Sequence, residues 1–182
     1  IANFNLFNIL KTNGFKTGFY YGSDAAFDGM KKYLTDNQVD EIVDVVSFDK
    51  NYKKLPSNNG DSWGFEDEAV FTKMIKDSPE NGEPYFKMIL TLSTHNPFLI
   101  NNSAYYEKLF NKTLASSTLS LSQQKIALQN KKQLISVLNL DDALKTFFNT
   151  YQKRADFNET LFVITGDHAM PEIEFEDRID RY

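Results

Sequence analysis

The chain has 182 residues, 41% hydrophobic and 14% aromatic, which is enough to bury a core in one domain. Its 20 basic and 25 acidic side chains leave a net charge of −5, against the basic stripe that non-specific nucleic-acid binding requires. With no cysteine there is no disulfide framework, thiolate metal site or cysteine nucleophile, and no apolar run reaches the roughly 18 residues of a membrane span. The first residue is Ile1, so the chain reads as a processed product or a cut piece of a longer one.

Short apolar strands alternate with amphipathic helices. Thr17 to Tyr21 reads as a buried strand ending at Gly22. Ser23 and Asp24 then offer side-chain oxygens to cap a helix, in which Phe27, Met30 and Leu34 share one face of a 3.6-residue period. Ile42 to Val46 reads as a weaker second strand, and Phe48 to Ser62 as a polar loop. Helix returns over Phe65 to Lys76, with Val70, Phe71, Met74 and Ile75 as its apolar stripe. After a Pro- and Gly-punctuated turn, Tyr85 to Leu92 forms a near-continuous apolar strand, as in a parallel sheet covered on both faces.

From Tyr105 to Tyr151 the pattern is mostly helical, interrupted by a loop over Leu114 to Ser122. The stripe Leu134, Val137, Leu138, Leu144, Phe147, Phe148 and Tyr151 marks its longest helix. A last apolar strand is expected over Thr160 to Thr165, followed at once by Gly166-Asp167-His168. The alternation predicts an α/β fold, a three-layer sandwich with a largely parallel central sheet.

Polar residues just past buried strands mark where such a fold holds its ligands. Asp167 and His168 pair a carboxylate with an imidazole, donors that suit Zn²⁺ or Mn²⁺, although a turn with a capping aspartate would look the same. His95, in Ser93-Thr94-His95-Asn96-Pro97-Phe98, could bind an anionic ester oxygen or protonate a leaving group; alternatively it is a loop histidine. The chain has two histidines and both follow strong strands, which favours a shared rim. Ser23 and Asp24 sit at a third strand end, where they either meet a ligand or cap a helix. Trp63, the sole tryptophan, anchors its loop or walls a pocket; in Trp63-Gly64-Phe65-Glu66-Asp67-Glu68 the acids suit a first helical turn without any further role. There is no P-loop or Rossmann glycine loop and no Gly-x-Ser-x-Gly elbow.

In order, these segments resemble one family. Phe19-Tyr20-Tyr21-Gly22-Ser23-Asp24 with Phe27 and Met30 is similar to its Phe-Tyr-Gly-Gly-Asp…Phe…Met stretch, and Trp63 to Glu68 to its Trp-Gly-x-x-Asp-Glu. Leu90 to Phe98 resembles its Leu-Thr-x-Ser-x-His-x-Pro-Phe, and Leu140 to Leu144 with Phe147 its Asp-x-x-Leu-x-x-Phe helix. Thr160 to His168 resembles its Asn-Thr-x-x-x-x-x-Gly-Asp-His. The family is the lipoteichoic-acid-synthase-like (phosphoglycerol transferase) branch of the sulfatases, in the alkaline phosphatase superfamily.

The resemblance implies an incomplete alkaline-phosphatase-like fold, with residues 1–182 forming one partial catalytic domain. It implies phosphoglycerol-type phosphotransfer, or phosphate or sulfate ester hydrolysis, outside the bacterial cytoplasmic membrane by a membrane-anchored protein. Asp167 and His168 match the family's ligands for Mn²⁺, Zn²⁺ or Mg²⁺, with Ca²⁺ a further option. His95 matches its substrate-site histidine, and the region Gly22 to Asp24, with Ser23 replacing a usual glycine, lies where the family contacts its polar head group; Ser23, Asp24 and, as a pocket wall, Trp63 are the further substrate-binding candidates. The family's upstream Thr, Ser or modified Cys nucleophile and further acidic ligand have no counterpart here, and the family continues past Asp177 to Tyr182. The chain is therefore expected to be inactive by itself. Its expected substrate is an anionic phosphate or sulfate ester, with a lipid-linked ester an option for the full-length protein, and an exposed sheet edge is expected to favour self-association. A sulfate ester hydrolase and a non-catalytic binding domain of the same fold are the alternatives.

Overall fold

The computed structural model describes residues 5–80 and 82–170. Ile1 and the terminal run Asp177 to Tyr182 lie outside the described residues.

A three-stranded parallel sheet organises the molecule. Its middle strand is β1 (Lys16–Tyr21), flanked by β2 (Glu41–Val43) and β5 (Tyr85–Leu90). β1 is buried from Thr17 to Tyr21, with neighbours on both edges and helices on both faces. That environment is why an unbroken apolar run serves here better than alternation.

The pleat sorts side chains to two cores. Phe19, Tyr21, Ile42, Phe86 and Leu90 face one side, where they meet Phe7 of α1 (Leu6–Thr12) and Met30 and Leu34 of α2 (Met30–Asp36). Tyr20, Val43 and Ile89 face the other, under Val70, Phe71 and Met74 of α3 (Asp67–Asp77) and Ala143, Phe147 and Tyr151 of α6 (Lys131–Tyr151). The result is helix, sheet, helix. A satellite core of Ile100, Tyr106, Phe110 and Ile135 joins α4 (Ser103–Ala115) to α6, and α5 (Leu121–Gln129) packs against it through Ala127. Ser120 caps α5 with a reciprocal capping box to Gln123. The polar loop carries a two-residue antiparallel ladder, β3 (Ser57–Asn58) with β4 (Asp61–Ser62). Among the described residues no helix is long and apolar enough to cross a membrane.

Several elements differ from expectation. The second strand stops at Val43, because the Asp44 side chain accepts from Val46 N and turns Val45–Ser47 into a single 3₁₀ turn. Ser23 and Asp24 do not cap α2. Asp24 Oδ1 accepts from Ala26 N at 2.8 Å, and Asp28 (φ 50) and Gly29 (φ 74) break the chain before α2 starts at Met30. Phe27 consequently leaves the apolar face and is 70% exposed. Val137 is likewise partly out of the α6 stripe, at 41% exposure. β5 is half-buried except at exposed Met88, since β1 is its sole partner strand among the described residues.

The largest departure is Thr160 to Thr165, which forms no strand pairing. A strand needs a neighbour for its amides and carbonyls, and this run is not hydrogen-bonded to β5. Thr160 is tied back by its hydroxyl donating to Asp156 O at 2.7 Å, and Phe162 sits in a cage of Phe147, Phe148, Tyr151 and Phe157. Leu161, Val163 and Ile164 stand 88%, 78% and 67% exposed.

Polar ties lock the end of the sheet where β1 begins. Asp40 accepts from Lys11 Nζ at 2.5 Å and from Thr17 N and Oγ1 at 2.8 and 2.9 Å. The Lys11 ammonium, helped by the Thr17 donors, pulls the Asp40 carboxyl down to about 2 from the usual 3.8. A carboxyl depressed on folding stabilises the fold above its unfolded value, and that stabilisation is lost as pH falls through the folded value. Asp40→Asn should therefore lower the urea midpoint at pH 7, with the gap to the parent chain closing as pH drops from about 4 toward 2.

Candidate functional site

Three chain segments meet at the opposite edge of the sheet, where β1 and β5 end. The first is Gly22-Ser23-Asp24, the second Trp63-Gly64-Phe65, the third Leu92 to Phe98. Gly22 and Gly64 bring the first two into backbone contact. A Cβ on Gly64 would lie 2.2 Å from Gly22 O, and one on Gly22 would lie 2.5 Å from Phe65 O. Gly64 also holds φ +146, which side chains rarely allow. The contact is sealed by Phe65 N donating to Gly22 O at 2.9 Å and Leu55 N donating to Gly64 O at 2.8 Å.

The third segment is held against the second by Asp67, the first residue of α3. Asp67 is 1% exposed. Oδ1 accepts from Leu92 N at 2.7 Å, and Oδ2 accepts from Ser93 N at 3.2 Å and from the Ser93 hydroxyl. Burial pushes its pKa up, opposed by those three donors. At the far end of the loop, Asn101 Nδ2 donates to Glu66 Oε2 at 2.6 Å and to Lys54 O at 2.8 Å. Between these ties the chain turns through a cis Asn96–Pro97 bond, and Phe98 buries its ring at φ 58.

This framework sets the Trp63 and His95 rings 5.4 Å apart between centroids, tilted by 48°. Both are exposed, Trp63 by 41%. His95 Nδ1 lies 2.6 Å from Asn96 O. A carbonyl only accepts, so Nδ1 carries the proton and the neutral ring keeps a lone pair on Nε2. That nitrogen can accept a proton or, once protonated, donate to an anionic oxygen. Ser23 lies against Gly64 through its backbone and is half-buried; Asp24 is exposed. Burial pushes the neighbouring Tyr21 hydroxyl up, the Ser23 hydroxyl opposes this, and Asp24 adds to the rise. Behind them the Asp44 carboxylate, 3% exposed, pairs with Lys31 Nζ at 2.9 Å, and Val45 N donates to Ser23 O at 3.0 Å.

Four of the six sequence-derived candidates, Ser23, Asp24, Trp63 and His95, thus gather at one sheet edge. Asp167 and His168 lie beyond the unpaired Thr160 to Thr165 run, 69% and 64% exposed at the side chain. His168 Nδ1 is 2.8 Å from Ala169 O, and its Nε2 is 3.7 Å from Asp167 Oδ2. The donor chemistry suits a divalent cation, but two donors are too few. Among the described residues no group of three or more His, Asp or Glu side chains gathers to hold one. Asp67 was missed as a site residue because an acid in a first helical turn already has a sufficient electrostatic reason. The Trp-Gly-x-x-Asp spacing was the one available signal.

The family model for Sulfatase matches residues 2–174. The chain belongs to the sulfatase family. It is 23% identical over 150 residues to the lipoteichoic acid synthase of Staphylococcus saprophyticus, covering 81% of this chain and 21% of that protein. It is 20% identical over 185 residues to lipoteichoic acid synthase 2 of Bacillus subtilis, covering 96% and 25% respectively. The chain therefore spans about a quarter of the length of these relatives. Among solved structures it is similar to an alkaline phosphatase superfamily protein of Vibrio parahaemolyticus, with a TM-score of 0.58 and 25% identity over 84% of this chain and 32% of that one. The fold also matches the lipoteichoic acid synthase LtaP of Listeria monocytogenes, with a TM-score of 0.55 and 18% identity over 80% and 32%. The expected alkaline-phosphatase-like architecture, present in part, is thus the one observed.

The Gly22–Gly64 contact has a direct test. Gly64→Ala should destabilise the chain by about 2 kcal/mol or more, because both its φ and its space exclude a methyl group. It should also shift Trp63 emission by prising its segment off Ser23; thermal unfolding followed by Trp63 fluorescence reads both effects.

Proposed function

We propose that this chain forms part of the catalytic domain of a longer protein, which transfers phosphoglycerol-type phospho groups at the outer face of a bacterial membrane. The observation that carries this reading is the convergence of Ser23, Asp24, Trp63 and His95 at one edge of a sulfatase-family sheet, with the Trp63 and His95 rings 5.4 Å apart and open to solvent. The substrate is an anionic phosphate ester, lipid-linked in the full protein.

In this reading His95 donates from protonated Nε2 to a non-reacting phosphate oxygen or to the departing alkoxide. The Trp63 face packs on the alcohol portion, while Ser23 and Asp24 Oδ2 receive its hydroxyls. Asp167 and His168 would supply two ligands of a divalent metal, whose other ligands, like the nucleophile, would come from the rest of the protein. Bound there, the metal would neutralise ester charge and activate the attacking hydroxyl. This chain alone would turn nothing over.

Sulfate ester hydrolysis is the second reading, favoured by the family model itself. The two separate on the full-length protein offered a phosphoglycerol ester and an aryl sulfate. Turnover of the phosphoglycerol ester, falling by about 100-fold or more in His95→Ala, is the expected result. Preference for the aryl sulfate would select the hydrolase, and turnover of neither would select a binding domain of the same fold. His168→Ala should raise the metal concentration needed for half-maximal activity.

We further propose that the isolated chain self-associates along the open edge of β5, where Met88 is 45% exposed. Sedimentation of the parent chain should show a concentration-dependent dimer, and Met88→Lys should shift it toward monomer.

A further inference from the structure

We infer that Asp67 is a positioning residue: its buried carboxylate sets His95 against Trp63. The inference rests on the reading of His95 as a substrate-site group and extends it to a residue that does not face the substrate.

The argument starts from the placement of the two rings on separate segments. Trp63 lies four residues before Asp67, on the strap that Gly64 and Phe65 tie to Leu55 and Gly22. His95 lies two residues after Ser93, on the strap that leaves β5. Asp67 spans the gap, taking both backbone amides of Leu92 and Ser93 and the Ser93 hydroxyl. Leu92 O in turn accepts from His95 N at 3.0 Å, so the clasped residue also starts the turn that carries the imidazole. The Asn101–Glu66 bond closes the other end of the same loop. Adjacent residues Glu66 and Asp67 therefore hold both ends of the loop bearing His95.

The arrangement demands an acceptor at every position. Two of the three donors are amides that can only donate, so an amide side chain at residue 67 would present an NH₂ group to one of them. Ser93, 0% exposed, has no water to replace a lost partner. The carboxylate also lies in the first turn of an eleven-residue helix, whose dipole favours negative charge there. A loop released from this clasp would keep its sequence and its imidazole but lose its register to Trp63. Misplacement of this order is enough to cost a catalytic group most of its effect.

Trp63 is the sole tryptophan and so reports the register directly. The His95 ring lies against the indole, so its register sets the Trp63 emission. In the 182-residue chain at one fixed pH, His95→Ala should change Trp63 emission. Asp67→Asn should reproduce most of that change while far-UV circular dichroism is retained, and should add little in a His95→Ala background. Ser93→Ala, which removes one donor and leaves no buried charge unpaired, should give a smaller change of the same sign. Parent-like emission in a folded Asp67→Asn chain overturns the inference. Should Asp67→Asn not fold, parent-like emission in Ser93→Ala does so, as does parent-like emission in His95→Ala. The readout needs no turnover. If transfer by the full-length protein proves independent of His95, the proposed function fails while this fluorescence result stands.

Discussion

No side chain larger than hydrogen fits between Gly22 and Gly64, and the site edge is built around that contact. Because the two backbones touch, the strap before α3 lies directly on the end of β1. α3 then begins where its first residue, Asp67, reaches the end of β5. One close approach of main chain therefore fixes three things: the path of the Trp63 strap, the start of α3 and the anchorage of the His95 loop. Side chains within this framework need only be short and polar, as Ser23, Asp24 and Ser93 are.

The other end of the sheet is held by charge and hydroxyl networks. Arg154 donates from Nε to Asp156 Oδ1 at 2.9 Å and from a terminal nitrogen to Ser78 O at 3.0 Å, joining the ends of α3 and α6. Tyr85 at the start of β5 donates to Asp156 Oδ2 at 2.8 Å and meets the Tyr151 hydroxyl. Asp156 is held below the usual carboxylate range by the Arg154 guanidinium. Lys87, inside the sheet, lies 4.9 Å over the Tyr20 ring and pairs with Glu41. These buried ions are all partnered, and among the described residues no buried side-chain polar atom lacks a hydrogen bond. Ions and hydroxyls brace the closed end, while at the open end the Gly22–Gly64 backbone contact and the Asp67 carboxylate together set the geometry.

Periodicity made most elements legible. The buried run of β1, the stripes of α3 and α6 and the loop between α4 and α5 all follow from where apolar residues recur. The failures share a cause. Phe27 kept helical spacing, yet two left-handed residues at Asp28 and Gly29 intervene. Leu161, Val163 and Ile164 have strand composition, yet composition does not supply a neighbouring strand. For the site, the positions after strand ends identified Ser23, Asp24 and His95. Trp63 entered through its motif. Asp67 stayed hidden because its role depends on two backbone amides twenty-five and twenty-six residues away.

By itself the sequence determined the α/β class, the parallel sheet and the family, because hydrophobic period and ordered motifs are local properties of the chain. Tertiary structure alone decided which of the candidate residues meet. It set Trp63 beside His95 and turned a helix-start aspartate into the clasp of a distant loop. Hydrogen bonds and close packing act through space, and the backbone approach at two glycines leaves no trace in periodicity.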